Sequence, residues 1–281
     1  MLLATISRHA CHGGVLGYYQ HPSKANDCDM RFAVFTPPQA QAGPVPVLYY
    51  LAGLTCTEET FVTKAGALEH AARLGIMLVA PDTSPRVELP GDRASWDFGI
   101  AAGFYLDATQ APWSRHYRMY SYVVDELPGV IAANFRADTK RSSIFGHSMG
   151  GHGALTIALK NPDKYRSVSA FAPISAPTQV PWGHKAFTGY LGAERSGWNQ
   201  YDACALLAEG RRFRDTLFVD QGTSDKFLRE QLKPELLEEA CKAAGQPLEL
   251  RMHTGYDHGY FFIQTFVADH MAWHAKRLAG A

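Results

Sequence analysis

Gly146-His147-Ser148-Met149-Gly150 lies between a short strand-like run, Ser142–Phe145, and a helix-forming stretch from Met149 to about Leu159. A strand that turns into a helix over so few residues leaves few architectures open. The turn is tight enough to force the serine into a strained backbone, which only small neighbours permit. Gly146 and Gly150 keep side chains out of the turn, while Gly151 and Gly153 let the helix pack close to the sheet. The hydroxyl then stands at the carboxyl end of the sheet, beside a helix N-terminus whose dipole favours developing negative charge. An incidental glycine turn would need neither flanking element. Ser148 is therefore read as a nucleophile.

The rest of the chain supplies the sheet that such a turn needs. Val45–Leu51 is a dense apolar run, followed by a helical stretch from about Glu58 to Leu74 that stops at Gly75. Ile76–Ala80 is the next strand. Pro81–Pro112, rich in Gly, Pro, Asp and Trp, reads as a long loop. Tyr117–Phe135 is helical with a kink at Pro128. Beyond the nucleophile come a strand at Arg166–Ala172 and an irregular segment, Pro173–Gly197. Thr216–Asp220 is a strand, Phe227–Ala244 a helix, Leu248–His253 a strand and Tyr260–Leu278 the last helix. This alternation implies an α/β fold of the α/β-hydrolase type: a mostly parallel central sheet with helices on both faces, residues 1–281 forming one domain. The first 40 residues lack the rhythm and are expected to form antiparallel strands at one edge.

A serine hydroxyl needs a base, and in this fold the partners follow in the order serine, acid, histidine. Of the 12 histidines, His258 lies in a loop after the last strand, in Gly255-Tyr256-Asp257-His258-Gly259. His253 falls inside that strand and reads as a packed residue. His147 and His152 flank the serine too closely in sequence to face it. His270 and His274 have a spacing that could hold a metal, but no third ligand is near, so a solvated helix face is expected. For the acid, Asp225 lies in the loop after the penultimate strand, whereas Asp220 ends the strand itself, so Asp225 is preferred. The oxyanion donors should be the backbone N–H of Met149 and, after the Val45–Leu51 strand, that of Leu54.

Composition limits the partners. The chain is 46% hydrophobic and 19% charged, with 27 Lys plus Arg against 27 Asp plus Glu. That balance offers nothing to a nucleic acid or a membrane surface, and the expected partner is a small molecule. The N-terminal Met-Leu-Leu-Ala-Thr-Ile-Ser-Arg has no basic leader, and no apolar stretch approaches a membrane span. Five scattered cysteines, Cys11, Cys28, Cys56, Cys204 and Cys241, fit neither a disulfide framework nor a zinc set. A reducing, cytoplasmic setting is expected.

Several blocks together resemble one family, the S-formylglutathione hydrolases, also called esterase D. Leu51-Ala52-Gly53-Leu54-Thr55-Cys56-Thr57-Glu58-Glu59 is similar to its oxyanion segment. Ser95-Trp96-Asp97-Phe98-Gly99 and Ala102–Thr109 resemble its central loop, and Gly146–Ala154 its nucleophile motif. Pro181-Trp182-Gly183, Lys185-Ala186-Phe187 and Gly189-Tyr190-Leu191-Gly192 resemble a further block. So do Asp220-Gln221-Gly222, Asp225-Lys226-Phe227-Leu228 and Tyr256-Asp257-His258. The matched blocks run from about Phe35 to Ile263. Two positions depart: Gly259 stands where the family usually has serine, and Ala101 where it usually has glycine.

The resemblance implies hydrolysis of the thioester S-formylglutathione to glutathione and formate, the closing step of formaldehyde removal. It implies no metal or organic cofactor, and often a homodimer. Glutathione carries two carboxylates, so a cation near the mouth is expected, with Lys185 as candidate beside Trp182 as an apolar wall. Cys56 is expected to be a small buried hydrophobe near the acyl pocket. Three alternatives stay open: a general carboxylesterase, an acyltransferase, and an inactive hydrolase fold serving as a binding module. The intact serine, acid and histidine speak against the last, although fold alone never establishes function.

Overall fold

The computed structural model describes residues 3–90, 92 and 95–280. Met1 and Leu2 of the N-terminal segment lie outside the described residues, as do Gly91, Arg93 and Ala94 of the long loop and the final Ala281. The strands are β1 (Ala4–Cys11), β2 (Gly14–Ser23), β3 (Cys28–Thr36), β4 (Val45–Leu51), β5 (Met77–Pro81), β6 (Ala137–His147), β7 (Val168–Phe171), β8 (Leu217–Gly222) and β9 (Leu248–His253). The helices are α1 (Glu58–Lys64), α2 (Ala67–Leu74), α3 (Met119–Ser121), α4 (Leu127–Asn134), α5 (Met149–Lys160), α6 (Pro181–Leu191), α7 (Ala203–Ala208), α8 (Pro234–Ala244) and α9 (Tyr260–Leu278).

All these strands join one sheet in the order β1-β2-β3-β5-β4-β6-β7-β8-β9. The first three run antiparallel at one edge, and β3 is antiparallel to β5. Every pair from β5 through β4 to β9 is parallel. The α/β-hydrolase architecture expected from the alternation is the one observed. β4 is buried along nearly its whole length, as a strand covered on both faces must be. On β7, the Cβ of Ala170 faces α5 at Gly151, whereas Ser169 faces His270 and His274 of α9. The two helices therefore cover opposite faces.

Register brings the strand ends into line. Leu51 pairs with Gly146, His147 with Phe171, Phe171 with Asp220, and Gly222 with His253. The loops after β4, β6, β8 and β9 consequently leave the sheet on the same edge, where ligands of open α/β sheets bind.

Several expected elements are cut differently. The helix expected over 58–74 breaks at Ala65–Gly66, where Gly66 adopts φ +69 and opens α2. The region 117–135 becomes α3, a π-turn over Tyr122–Glu126 and α4. Pro128 has no N–H for an α-type bond, and the widened turn just before it absorbs that loss. The helix expected from Phe227 likewise starts with a π-turn, Leu228–Leu232, and Lys233 at φ 46 separates it from α8. Pro234 explains this break, because a residue before proline avoids the helical region. The segment 173–197 is not irregular throughout: it contains α6, with Pro181 in its first turn, where a missing N–H costs nothing.

Candidate active site

Ser148 sits between β6 and α5 with φ 57 and ψ −118. This is a conformation that non-glycine residues adopt only when their surroundings impose it. Its N–H donates to the Phe171 carbonyl at 2.9 Å, and its own carbonyl accepts from the N–H of His152 at 3.0 Å. The close approach of β4 completes the clamp. A Cβ on Gly150 would lie 1.9 Å from the Leu51 carbonyl oxygen, and one on Gly53 would lie 3.1 Å from the Ser148 Cβ. The segment after β4 is thus pressed against the Ser148 turn. It is held there by Thr55, whose N–H donates to the Ala101 carbonyl at 3.0 Å, both residues having positive φ. Ala101, one of the two departures, therefore carries strain in the bond that fixes this segment. Among the described residues, the N–H groups of Leu54 and Met149 have no hydrogen-bond acceptor.

Asp225 and His258 meet as the sequence order suggests. The His258 Nδ1 donates to Asp225 Oδ2 at 2.5 Å. The same carboxylate accepts from the Phe227 N–H at 2.8 Å and from Gln221 Nε2 at 3.3 Å. Its side chain is wholly buried, so these donors replace the water it has lost. The His258 ring lies 4.4 Å from that of His147, centroid to centroid, and 5.1 Å from that of Phe227, which meets it edge-on. His147, which directly precedes Ser148, is buried. Burial, reinforced by neighbouring His258, pushes its basicity well below the ordinary histidine range. It is a neutral wall for His258. Sequence reasoning passes over Gln221 and Phe227, and the available signal was their position on either side of Asp225.

Asp220 has a different role from Asp225. It binds Arg251 through both carboxylate oxygens at 2.6 Å, with His253 and His270 each at 3.3 Å. Burial alone would raise its carboxyl, but Arg251 and His270 hold it far below the ordinary range. His270 and His274, expected on a solvated face, are both fully buried. His270 stacks between Phe171 and Phe218 and bonds Ser169, while His274 bonds Ser167 and Ser169. Ser169 on β7 and Ser167 just before it make the face toward α9 polar, so a neutral imidazole finds partners in the core. Helical spacing alone gave no sign of this. Among the described residues, no group of three or more His, Cys, Asp or Glu is arranged to hold a metal ion.

The remaining candidates are distributed around the mouth. Trp182 is buried, 4.7 Å from Phe227 and 5.5 Å from the exposed Trp96, so it continues the aromatic wall that touches His258. Lys185 is not a free cation. Its Nζ donates to Ser95 at 2.7 Å and pairs with Asp97. Cys56 is half-buried rather than enclosed, and burial keeps it a thiol by raising its pKa.

A family model described as putative esterase matches residues 23–274. An S-formylglutathione hydrolase of Mus musculus is 52% identical over 280 residues, covering 99% of both chains. This chain belongs to the S-formylglutathione hydrolase family. A second member, from Paracoccus denitrificans (strain Pd 1222), is 51% identical over 274 residues and 98% of each chain. A solved S-formylglutathione hydrolase from Agrobacterium tumefaciens superposes with a TM-score of 0.96 at 51% identity. That match covers 98% of this chain and 99% of the other. Family membership of this extent makes the chain a thioester hydrolase and serine esterase.

Proposed function

We propose that the chain hydrolyses S-formylglutathione to glutathione and formate, with Ser148 as nucleophile, His258 as base and Asp225 as the acid that orients it. The observation that carries this is the 2.5 Å bond from His258 Nδ1 to a buried Asp225, with the His258 ring packed on His147, which directly precedes a serine held in a strained turn. With Nδ1 committed to the acid, Nε2 is the nitrogen left to take the Ser148 proton. The serine oxygen attacks the formyl carbon, and the carbonyl oxygen becomes an oxyanion facing the N–H groups of Leu54 and Met149. Two free donors on segments pressed together at Gly53 support that assignment. Collapse breaks the carbon–sulfur bond and releases glutathione as a thiol, with the proton supplied by His258. Water, activated by the same histidine, then attacks the formyl-enzyme and yields formate.

One domain, a homodimer and a cytoplasmic setting belong to the same reading. A single sheet order through all the strands supports the first. Exposed Ile6 on the edge strand β1 supports the second, and five unpaired thiols support the third. Among the described residues no helix is long and apolar enough to cross a membrane.

The test compares kcat/KM for S-formylglutathione, S-acetylglutathione and p-nitrophenyl acetate. A site closed around formyl should favour it over acetyl by about ten-fold or more, since one methylene is worth roughly 1–3 kcal/mol in a pocket. Equal turnover of p-nitrophenyl acetate would make the enzyme a general carboxylesterase.

A further inference from the structure

Glutathione presents a recognition problem that the catalytic groups do not solve. Its two carboxylates sit at the ends of a three-residue chain, one on each side of the thioester sulfur. At roughly 3.3–3.6 Å per residue they lie about 10 Å apart when extended. A site that reads both ends needs cations on two sides of the reacting carbon. Lys185 does not meet that need, because Asp97 already neutralises it.

Two other lysines, on different elements, rest over aromatic rings that lead by ring contacts to His258. Lys226 directly follows Asp225, and its Nζ lies 4.9 Å from the centre of the Phe227 ring, which itself meets His258 edge-on at 5.1 Å. Lys64 ends α1, and its Nζ lies 5.9 Å from the centre of the Tyr260 ring. Tyr260 is 6.1 Å from His147, the ring packed on His258 at 4.4 Å. Lys64 thus stands on the side of the segment after β4, and its charge reaches Cys56 in that segment. Both lysines are exposed, and among the described residues neither pairs with a carboxylate. An ammonium resting over an aromatic face is positioned without being neutralised, so its charge remains available to a ligand. Asp225, the chain neighbour of Lys226, is already committed to His258, Gln221 and the Phe227 N–H.

We propose that Lys64 and Lys226 receive the two carboxylates of the glutathionyl group, one on each side of the Ser148–His258 pair. This rests on the reading of S-formylglutathione as substrate. The pair makes the enzyme selective for a leaving group with two carboxylates, not for a thioester as such.

The test uses the full chain with Lys64→Gln, Lys226→Gln and the double variant, assayed on S-formylglutathione and on uncharged p-nitrophenyl acetate at low and high salt. Each single substitution should raise KM for S-formylglutathione about two- to five-fold, as expected for an exposed ion pair, with kcat little changed. The double variant should lose roughly the product of the two factors and most of its salt dependence, because salt screens the same charges. Rates with p-nitrophenyl acetate should stay within about two-fold. A formyl thioester of glutathione esterified at the glycine carboxylate should respond to one lysine substitution and not the other. Unchanged KM in the double variant overturns the proposal, and so does an equal loss on both substrates, which would mark a structural role. A wild-type enzyme without preference for S-formylglutathione refutes the substrate reading itself, a result visible before any variant is made.

Discussion

Asp220 and Asp225 each face a histidine, His270 and His258 respectively, yet one pair is locked inside the sheet and the other stands at its open edge. On the proposed reading these two carboxylates, so close along the chain, are divided between stability and chemistry, and substitution should separate the two. Asp225→Asn should leave thermal stability nearly intact and lower kcat by roughly 10⁴-fold, because the imidazole can settle in the wrong tautomer. Asp220→Asn should keep most of kcat but cost about 2–4 kcal/mol, since it leaves Arg251 without its buried partner. Kinetics and urea unfolding on the two variants check this. The reverse pattern would show that the roles have been exchanged.

Ser148 should be the residue that a fluorophosphonate labels, and Ser148→Ala should abolish both labelling and turnover without loss of fold. Peptide mass spectrometry locates the adduct. An adduct on any other serine, or on Cys56, would remove Ser148 from its place as nucleophile.

Acid should unfold this protein earlier than its carboxylates alone would predict. Burial lowers His152 from 6.5 to about 4, against the opposing bond to the Phe104 carbonyl, and also lowers His147 and His274. Between pH 6.5 and about 4 the unfolded chain binds protons at these histidines and the folded chain does not. Stability is therefore full above about 6.5 and falls as pH drops through that window, by up to roughly 1.4 kcal/mol per pH unit for each histidine. Urea midpoints at pH 7, 6 and 5 read this slope. Equal midpoints at pH 7 and pH 5 would mean that the buried rings take up protons without penalty.

Gly259, the other departure from the family pattern, sits at the N-cap of α9 with φ −86 and ψ 177 and offers no side-chain cap. A serine fits that backbone, although its Cβ would come within 3.1 Å of Asp257 Oδ1, which must move slightly. Gly259→Ser should raise stability by a few tenths of a kcal/mol and leave kcat/KM within about two-fold. A large loss of kcat, seen in the same kinetic assay, would mean that the glycine sets the position of neighbouring His258.

The sheet and the nucleophile turn were legible because both rest on local rules. Val45–Leu51 is an apolar run of strand length and Leu248–His253 alternates apolar with polar residues, and both strands lie within those limits. The kink at Pro128 was legible, but the break before Pro234 was not, and at both prolines the π-turn's widened hydrogen bonding leaves no periodic mark. The burial of His270 and His274 depends on serines about a hundred positions away in the chain, and no window along the sequence contains both partners. Lys185 failed as a free cation for the same reason. Its neutralising partner, Asp97, comes from a distant loop.

The backbone at Ser148 has a bearing on how such an enzyme can be improved. At φ 57 and ψ −118 the fold would prefer a glycine. If Ser148 is the nucleophile as proposed, a chain released from the demand to react would gain robustness by losing it there. Libraries sorted on heat survival alone would thus enrich dead proteins at this position, a local case of stability traded against function. Each round of selection for a hardier enzyme has to ask for turnover as well.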